Sequence, residues 1–388
     1  MNHCPICDSS RVSSFLQRSS VPVHQNLVVH ESSDAKNVNR GQLDMVLCLQ
    51  CGFVWNSSFD ESLLVYGDGY DNNQACSPHF ENYLNGLVQK LVEDKGINNS
   101  HIVEVGCGQG YFLDKLVHYP NSGNKGTGFD PTCRTNDYKN LKFVKSYYDK
   151  NASGVHADIV LCRHVIEHVP SPLYLLRSVA EALSQSPDAR VFFETPCVEW
   201  ILKNQVIWDF FYEHCSLFSR ESIRYAFEKS GFVVDSVYHV FEGQYLWLEA
   251  RLNRQAGHEP DRIDTSSLVQ MASDYTCKEG SLIQEWTEML KKHSLDGRVC
   301  VWGAGAKGVT FVNLVDPQGQ LLDCVVDINP NKQGAFIPGT GHRIVGPDKL
   351  PQRNVKYAVL MNPNYRAENE KALMDMNYKI RFIDWSQG

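Results

Sequence analysis

The stretch that decides the fold is HIVEVGCGQGYF at residues 101–112, which is followed by GTGFDP at residues 126–131. Its three glycines are Gly106, Gly108 and Gly110. Glycine lets the backbone turn sharply from a strand into a helix and approach a ligand closely. The spacing is GxGxG and not the GxGxxG of dinucleotide-binding loops. The first strand carries Glu104, and the second ends at Asp130, where a carboxylate can bond both ribose hydroxyls. The sequence therefore predicts a nucleotide-binding α/β domain here.

Strand-like and helix-like segments alternate around this loop. Upstream, Ser77 caps a predicted helix that has Pro78 at its first position and ends at Gly96. Downstream, the predicted strands are HIVEVG, GTGFD, KFVKS, ADIVLC and ARVFFET, and the helices cover FLDKLV and SPLYLLRSVAEAL. A helix from Ser219 to Gly231 and two apolar segments, FVVDSVYHVF and QYLWLEARL, complete the domain. This alternation predicts a doubly wound parallel sheet with helices on both faces.

The chain of 388 residues is too long for one ordinary core, and three parts are predicted. Residues 1–72 combine polar loops with the β-type runs VPVHQNLVV, LDMVLC and FVWN. Residues 73–255 hold the domain described above. A polar linker near HEPDRIDTSS leads into residues 256–388, where an amphipathic helix precedes VCVWGAGAKGVTFVNLV, LDCVVDINP and YAVLMNP. This last part is a second α/β unit of Rossmann-like type.

Charge and composition exclude several classes of protein. A formal charge of −8 without a basic cluster argues against nucleic-acid binding, because Lys and Arg must neutralise the phosphates. The polar N-terminus and the absence of an apolar run near the ~18 residues of a membrane span predict a soluble cytoplasmic protein without a membrane partner. Thirteen cysteines, an odd number, favour buried free thiols in a reducing compartment. The oligomeric state stays open.

Two CxxC pairs lie near the start of the chain: Cys4 with Cys7, and Cys48 with Cys51. Zinc prefers four soft ligands in a tetrahedron, and each CxxC turn offers two thiolates at a suitable separation. The spacing predicts a zinc ribbon-like module with a closed structural zinc site. A catalytic zinc is not expected because no coordination position stays open. Two unrelated surface turns are the alternative.

The glycine loop, Asp130 and ADIVLCRHVIEHVPSP together resemble the class I methyltransferases that bind S-adenosylmethionine (SAM). The resemblance covers roughly residues 75–255. It implies that Glu104 and the three glycines hold the methionine end of SAM and that Asp130 holds the ribose. It also implies that the segment from His164 to His168 lies beside the reactive methyl group. An ordinary strand-to-helix turn is the alternative.

Nearly the whole chain is similar to the deoxysugar C-methyltransferase family. The similarity includes the CxxC pairs, the tyrosine loop LLVYGDGYDNN, the block WDFFYEHCSLFSRES, and GAGAKG followed by DINPNKQGAFIPGT. Members of this family methylate a carbon next to the keto group of a nucleotide-linked 4-keto sugar. The similarity implies SAM as cofactor, zinc in a structural role and a nucleotide-sugar as substrate. The family's Tyr-x-Glu-His core is Phe211, Tyr212, Glu213 and His214 here, so the leading tyrosine is replaced.

A histidine suits this chemistry because imidazole can remove the weakly acidic proton of a carbon next to a carbonyl. The resemblance implies His214 as the general base, with a structural histidine as the alternative. Glu213 either orients it or contacts the sugar; direct contact is not assumed, because neighbours on an extended segment face opposite ways. His168 is the second candidate for the base, or for a proton donor to the enolate oxygen. Tyr66 and Tyr70 are candidates for the family's substrate-facing tyrosine, and Tyr70 matches better.

The C-terminal GAGAKG contains Gly303, Gly305 and Gly308 in dinucleotide spacing, which alone indicates a nicotinamide site. By resemblance, this unit helps to hold the nucleotide-sugar, with Lys307 near a helix N-terminus that favours diphosphate. A Rossmann-like lid without a ligand is the alternative.

Three segments depart from the usual family sequence: VPVHQNLVV, EGQYLWLEA and MNPNYR. Tyr212 and Gln244 are nevertheless expected to contact the substrate. The departures leave the sugar, the methylated carbon and the choice between C- and O-methylation open. The rival functions are an O- or N-methyltransferase, an oxidoreductase that uses GAGAKG, and a zinc-ribbon adaptor without activity.

Overall fold

The structure is a computed structural model that describes residues 3–64, 69–71, 76–133, 138–253 and 260–383. The described strands form three sheets. In this part of the chain, none of the helices is both long enough and apolar enough to cross a membrane.

The N-terminal sheet is antiparallel and contains a strand from the middle of the chain. It starts with β1 (Val12–Pro22), β2 (Arg40–Cys48) and β3 (Val54–Asn56), and α1 (Ser32–Lys36) lies between β1 and β2. Its fourth strand is Ser216–Leu217, which pairs with β3. The strand predicted over VPVHQNLVV is wrong beyond Pro22. There the backbone bonds to separate parts of the chain: Gln25 N–H donates to the Glu213 carboxylate and Val28 N–H to the Gly69 carbonyl.

The central sheet has seven strands in the order β6, β5, β4, β7, β8, β11 and β10. Their bounds are β4 (His101–Val105), β5 (Lys125–Phe129), β6 (Leu141–Val144), β7 (Ile159–Arg163), β8 (Arg190–Pro196), β10 (Phe232–Val240) and β11 (Tyr245–Leu252), and β9 is Ser216–Leu217 of the N-terminal sheet. The predicted parallel strands are confirmed, but β11 runs antiparallel to β8 and β10 because it returns from β10 as a hairpin. The strand order reverses between β4 and β7. In open α/β sheets, ligands bind at such a reversal, beyond the carboxyl ends of the strands.

Helices cover both faces of the central sheet, as predicted. They are α2 (Pro78–Gln89), α3 (Tyr111–Val117), α4 (Pro172–Ala182) and α6 (Arg220–Lys229). Helix α5 (Val198–Lys203) packs instead in the core that includes the N-terminal sheet. The α2 and α3 helices share an apolar core with one face, and α4 and α6 with the other. The predicted cap at Ser77 is confirmed, because its hydroxyl accepts the Phe80 N–H at 3.2 Å. Ser219, where a helix was predicted to begin, caps α6 by accepting the Ser222 N–H at 3.1 Å.

The C-terminal unit is a parallel sheet in the order β14, β13, β12, β15 and β16. Its elements are α7 (Ser266–Ser294), β12 (Arg298–Trp302), α8 (Ala306–Val315), β13 (Cys324–Val326), β14 (Ile344–Val345), α9 (Leu350–Arg353), β15 (Val355–Leu360), α10 (Arg366–Asp375) and β16 (Arg381–Ile383). The second α/β unit is therefore confirmed. Helix α7 begins inside the predicted polar linker, because Leu268, Ala272 and Tyr275 supply a buried face that extends its first turns.

One apolar core joins all three parts of the chain. It includes Leu16 and Leu43 of the N-terminal sheet, Trp208 and Phe210 of the central block, and residues of α7 and α8 such as Phe311. The segment from Val198 to Leu217 is consequently packed between the N-terminal sheet and the C-terminal unit. This packing positions the block that carries the predicted general base.

Candidate active site

The glycine loop leaves β4 and enters α3 with three residues in the left-handed region. Gly106, Gly108 and Gly110 have φ angles of 70°, 53° and 79°, which glycine adopts at little cost. A Cβ on Gly106 would lie 2.2 Å from a methyl group of Val165, and one on Gly110 would lie 2.3 Å from the Phe143 ring. A Cβ on Gly108 would meet no described atom within 4 Å. Two of the three glycines are therefore required by packing, whereas Gly108 borders open space.

We expect Gly106→Ala to destabilise the fold more than Gly108→Ala. Either substitution places a side chain at positive φ, which costs about 1–2 kcal/mol. Gly106→Ala also forces a clash with Val165, which adds about 1–3 kcal/mol. Chemical denaturation measures both losses. Val165→Ala in the Gly106→Ala background should recover part of the larger loss, and equal losses for the two single variants would contradict the clash.

Charged side chains stand at the carboxyl ends of four parallel strands. Glu104 is in β4, Asp130 follows β5, Arg163 ends β7 and Glu194 is in β8. The Asp130 carboxylate accepts the Gly108 N–H at 2.9 Å, and so fixes the glycine loop. Arg163 Nε donates to Glu194 Oε2 at 2.5 Å. Arg163 and Glu194 were not predicted, although a charge at the end of an apolar strand was an available signal.

The pKa values of the two buried glutamates, Glu104 and Glu194, are shifted in opposite directions. Glu104 is 4% exposed, and its Oε2 has no hydrogen-bond partner among the described residues. Burial raises the pKa of Glu104 to about 7. Burial acts in the same direction on Glu194, but Arg163 and His164 hold the pKa of that carboxyl at about 2. Glu104 is therefore a buried carboxyl group without a full cationic partner, which suits the ammonium group at the methionine end of SAM.

We expect the affinity for SAM to rise with pH around the pKa of Glu104. Below pH 7 the buried carboxyl group is protonated and cannot pair with an ammonium group; above pH 7 it is ionised. Because a carboxyl group with a pKa of about 7 is about 10% ionised at pH 6 and about 90% ionised at pH 8, binding should be about tenfold tighter at pH 8 than at pH 6. Calorimetric titration at several pH values measures this, and Glu104→Gln should remove the dependence. The same pH dependence in Glu104→Gln would assign it to another group.

His164 lies between two buried carboxylates next to β8. Its Nδ1 donates to Glu167 Oε1 at 3.1 Å, and its Nε2 is 3.7 Å from Glu194 Oε1. Burial lowers the pKa of His164, but the two carboxylates outweigh burial and raise it to about 9. The Tyr245 ring centroid lies 4.5 Å from its ring. His164 is thus a cation at neutral pH, which makes it unsuitable as a base. Glu167 and Tyr245 were not predicted.

The two histidines proposed for the proton transfer lie side by side. The ring centroids of His168 and His214 are 4.8 Å apart and the rings are nearly perpendicular, at 84°. Phe211, which replaces the family's tyrosine, packs on His214 at 4.1 Å. Burial, and to a smaller extent the neighbouring His168, His164 and Lys307, lowers the pKa of His214 well below its usual value. His214 is therefore a neutral imidazole at neutral pH and can accept a proton.

The N-terminal sheet holds His214 in place. The following residue, Cys215, accepts the Asn56 N–H through its carbonyl at 2.9 Å. Ser216 then pairs with Trp55 of β3, and its hydroxyl donates to the Val169 carbonyl at 2.7 Å. Val169 directly follows His168 in the sequence. The same few bonds thus fix the backbone beside both histidines.

Tyr212 and Glu213 contact the N-terminal part of the chain and not the histidine pair. The Tyr212 ring is fully buried, and its hydroxyl accepts the Asp60 N–H at 2.8 Å and donates to the Asp60 carbonyl at 3.1 Å. The Glu213 carboxylate accepts the Gln25 N–H at 2.9 Å and lies 3.3 Å from His24 Nδ1. These contacts assign both side chains a role in joining the parts of the protein.

The predicted tyrosine loop lies near the same N-terminal segment. The Tyr70 ring packs on His24 with a centroid distance of 5.9 Å, and its backbone forms a β-bridge with Leu27. Through His24, Tyr70 is linked to Glu213. Tyr66 lies outside the described residues.

The C-terminal glycine loop faces the central domain. Gly303 has a φ of 117°, and a Cβ on Gly308 would lie 1.8 Å from the Gly303 carbonyl oxygen, so the loop requires both glycines. Gly305 directly precedes α8. Lys307, in the first turn of α8, donates to Asp209 Oδ2 at 2.8 Å and to Gln244 Oε1 at 3.1 Å. Two predicted substrate residues from distant parts of the chain, Lys307 and Gln244, therefore meet.

Two residues that were not predicted complete this junction. The side-chain amides of Gln244 and Asn362 bond reciprocally at 3.1 and 3.2 Å. Lys332 is 6% exposed and donates to the Asn26 side chain at 3.0 Å and to the Ala304 carbonyl at 3.2 Å. Sequence offers a weak signal for both, because each lies in a segment singled out by the family comparison. The junction is polar, buried and built from all three parts of the chain.

The four N-terminal cysteines converge as predicted. Their sulfur atoms all lie within 4.8 Å of one another, with Cys4 3.5 Å from Cys51 and Cys7 3.4 Å from Cys48. Zinc–sulfur bonds of about 2.3 Å in a tetrahedron place sulfurs about 3.8 Å apart, so the thiols fit a zinc ion with small movements. All thirteen cysteines of the chain lie in described residues, and each is a free thiol.

Comparisons with known proteins indicate the class of enzyme. The chain matches the family described as methyltransferase domain over residues 79–237 and the C-methyltransferase C-terminal domain over residues 269–382. It is 24% identical over 401 residues to the C-methyltransferase NovU of Streptomyces niveus. That alignment covers 97% of this chain and 93% of NovU. It is 28% identical over 145 residues to a ubiquinone biosynthesis O-methyltransferase of Actinobacillus pleuropneumoniae. That alignment covers 32% of this chain and 58% of the O-methyltransferase.

Among solved structures, an O-methyltransferase family protein from Burkholderia thailandensis is similar over 45% of this chain and 56% of that chain, at 15% identity and a TM-score of 0.37. The domain matches and the relative that spans nearly the whole chain confirm the predicted class of enzyme. The chain is a SAM-dependent methyltransferase, and its matches support a place among the C-methyltransferases.

Proposed function

We propose that this methyltransferase methylates a carbon next to the keto group of a nucleotide-linked deoxysugar, with His214 as the general base. The observation that carries the proposal is the position of the His214 ring beside the ring of His168, with their centroids 4.8 Å apart. Because burial lowers its pKa, His214 is neutral at neutral pH and free to accept a proton. The full-length similarity to a C-methyltransferase supports the choice of carbon as the acceptor atom.

In this mechanism the residues of the chain handle one proton and the position of the substrate. His214 takes the proton from the carbon beside the carbonyl group, and His168 donates a hydrogen bond to the enolate oxygen that forms. SAM, when bound, supplies an electrophilic methyl group. Glu104 and the glycine loop hold its methionine end, and Asp130 holds its ribose. Most of the acceleration comes from alignment of the two substrates, because methyl transfer requires little further chemistry from the protein.

The acceptor's nucleotide is assigned to the junction of the central and C-terminal parts. Lys307 lies in the first turn of α8, whose N-terminal N–H groups and dipole favour a diphosphate. Lys307 is paired with Asp209 at 2.8 Å, so a diphosphate must draw the ammonium group away from that carboxylate. Gln244 and Asn362 supply amide groups that can bond sugar hydroxyls, and Tyr70 is assigned to the sugar side of the site.

The four-cysteine cluster is assigned a structural zinc ion. The support is the convergence of four thiols and their burial against the central domain, where Cys48 and Cys51 belong to the same apolar core as Phe53 and Phe218. Four sulfur ligands leave no position for a substrate. A zinc ion held there would stabilise the N-terminal sheet and would take no part in the reaction.

Exchange of hydrogen with solvent tests the proposed function. A nucleoside-diphosphate 4-keto-deoxysugar is incubated in deuterated water with the enzyme and the demethylated product of SAM, so that no methyl transfer can follow. The expected result is deuterium at the carbon next to the keto group, detected by NMR. Failure to exchange, combined with methylation of an oxygen or nitrogen when SAM is added, would replace the proposal by O- or N-methylation.

Lys307→Met is expected to weaken acceptor binding without affecting the donor. Loss of a charged hydrogen bond costs about 1.5–3 kcal/mol, so KM for the acceptor should rise about tenfold or more. Steady-state kinetics measures this, and the exposed Lys203→Met on α5 serves as control. The double variant Lys307→Met/Asp209→Asn avoids a buried unpaired carboxylate. An unchanged KM for the acceptor in both Lys307 variants would show that the acceptor's diphosphate does not bind at this loop.

A further inference from the structure

A further group of metal-ligating side chains lies apart from both the four-cysteine cluster and the histidine pair with Glu167, where α5 begins beside the edge strand β10. Cys197 directly precedes α5 and is fully buried, Glu199 is in the first turn of α5, and His239 is near the end of β10 with an exposed side chain. One ligand atom from each of the three lies within 4.8 Å of the other two. The proposed methyl transfer uses none of these residues.

The distances suit a zinc ion. Sγ of Cys197 lies 3.4 Å from Nε2 of His239. Zinc–sulfur bonds of about 2.3 Å and zinc–nitrogen bonds of about 2.0–2.1 Å in a tetrahedron correspond to a sulfur–nitrogen separation of about 3.5 Å. The pair therefore reaches a zinc geometry with almost no movement. Glu199 Oε2 accepts the Arg220 N–H at 3.0 Å, a bond of the kind that orients a ligating carboxylate.

We propose that Cys197, Glu199 and His239 bind one Zn²⁺ ion, with water as its fourth ligand, separately from the four-cysteine cluster. Thiolate, imidazole and carboxylate are the protein ligands that zinc takes. Magnesium and calcium prefer sites made only of oxygen, so the thiol selects against them. Three protein ligands leave one coordination position open, so this ion exchanges more readily than one held by four thiolates.

The bound ion would brace the turn between β10 and β11. This turn holds three consecutive residues at positive φ, with 46° at Phe241, 55° at Glu242 and 88° at Gly243, and two of these are not glycine. Such a conformation is strained and persists only when its surroundings hold it. The Cys197 N–H donates to the Gln244 carbonyl at 2.9 Å. A metal that joins Cys197 to His239 therefore clamps the turn from both sides.

Zinc content of the full-length protein tests this site. The protein is equilibrated with buffered free zinc, dialysed and assayed for zinc per chain. We expect two equivalents in the wild type, one in His239→Ala and one in Cys197→Ser. Cys277→Ser, which removes an exposed cysteine, should keep two. Because the His239 side chain is exposed, His239→Ala should fold normally, which thermal unfolding and binding of the demethylated product check.

Cobalt provides a second readout. Co²⁺ added to protein that already holds one zinc ion should give a thiolate-to-metal absorption band, and Cys197→Ser should remove it. The affinity for this second ion should fall at least ~100-fold in His239→Ala, since even loss of an outer partner of a ligand costs 10–100-fold. One zinc per chain in the wild type, or two in His239→Ala, would overturn the proposal and leave a thiol–imidazole hydrogen bond only.

Discussion

His214→Ala is expected to lower both methyl transfer and solvent exchange at the acceptor carbon by about 10²–10⁴-fold, the usual contribution of a positioned base. The neutral imidazole of His214 is the only assigned acceptor of this proton, since His164 is held as a cation between Glu167 and Glu194. Stopped time courses of deuterium incorporation and of methyl transfer measure the two rates. Affinity for the demethylated product should not change, because His214 is not assigned to the donor.

His168→Ala is the matched control for this prediction, because the two rings touch and differ only in the role assigned to them. The His168→Ala substitution should slow the reaction without abolishing exchange. It removes the hydrogen bond to the enolate oxygen but leaves the base, His214, in place. Complete loss of exchange in His168→Ala with retention in His214→Ala would reverse the two assignments. Because the pKa of His214 lies well below its usual value, wild-type exchange should show no loss of base between pH 8 and pH 6.5.

Cys48→Ser is expected to unfold the N-terminal sheet and to abolish catalysis while the donor site survives. Structural zinc contributes an apparent ~10–16 kcal/mol in zinc-finger peptides, which equals or exceeds the stability of a typical domain. Cys48 ends β2 within a core that reaches Phe53 and Phe218. Zinc content should fall by one equivalent per chain, and protease should cut the N-terminal residues first.

Catalysis should be lost in Cys48→Ser because β3 pairs with Ser216–Leu217, only two residues after His214. The demethylated product should still bind, because the glycine loop belongs to another sheet. Cys277→Ser is the control, since Cys277 is exposed and lies outside the cluster. Full exchange activity in a Cys48→Ser protein that has lost its zinc would show that the N-terminal sheet does not position His214.

The sequence predicted the strands, the turn and the helix of the proposed donor site because their signals are local. The glycine spacing, the carboxylates Glu104 and Asp130 and the cap Ser77 each depend on a few consecutive residues, and the structure has them in the predicted elements. The convergence of the four cysteines was also predicted, since the geometry of metal binding limits which spacings can meet. The strand over residues 21–29 was wrong beyond Pro22, because tertiary bonds to Glu213 and Gly69 replaced sheet pairing.

The amino-acid sequence by itself determined the glycine loop between β4 and α3 and that a second α/β unit follows, because backbone conformation at strands, turns and caps is set by neighbouring residues. Only the tertiary structure decided which way Glu213 and His214 face, that Arg163 holds Glu194 ionised, and that Lys307 meets Gln244. Those facts depend on strand register and on packing between residues far apart in the chain. The protonation states follow from the same packing, because burial and the nearest charges can shift a pKa by several units from the value that the residue type alone gives.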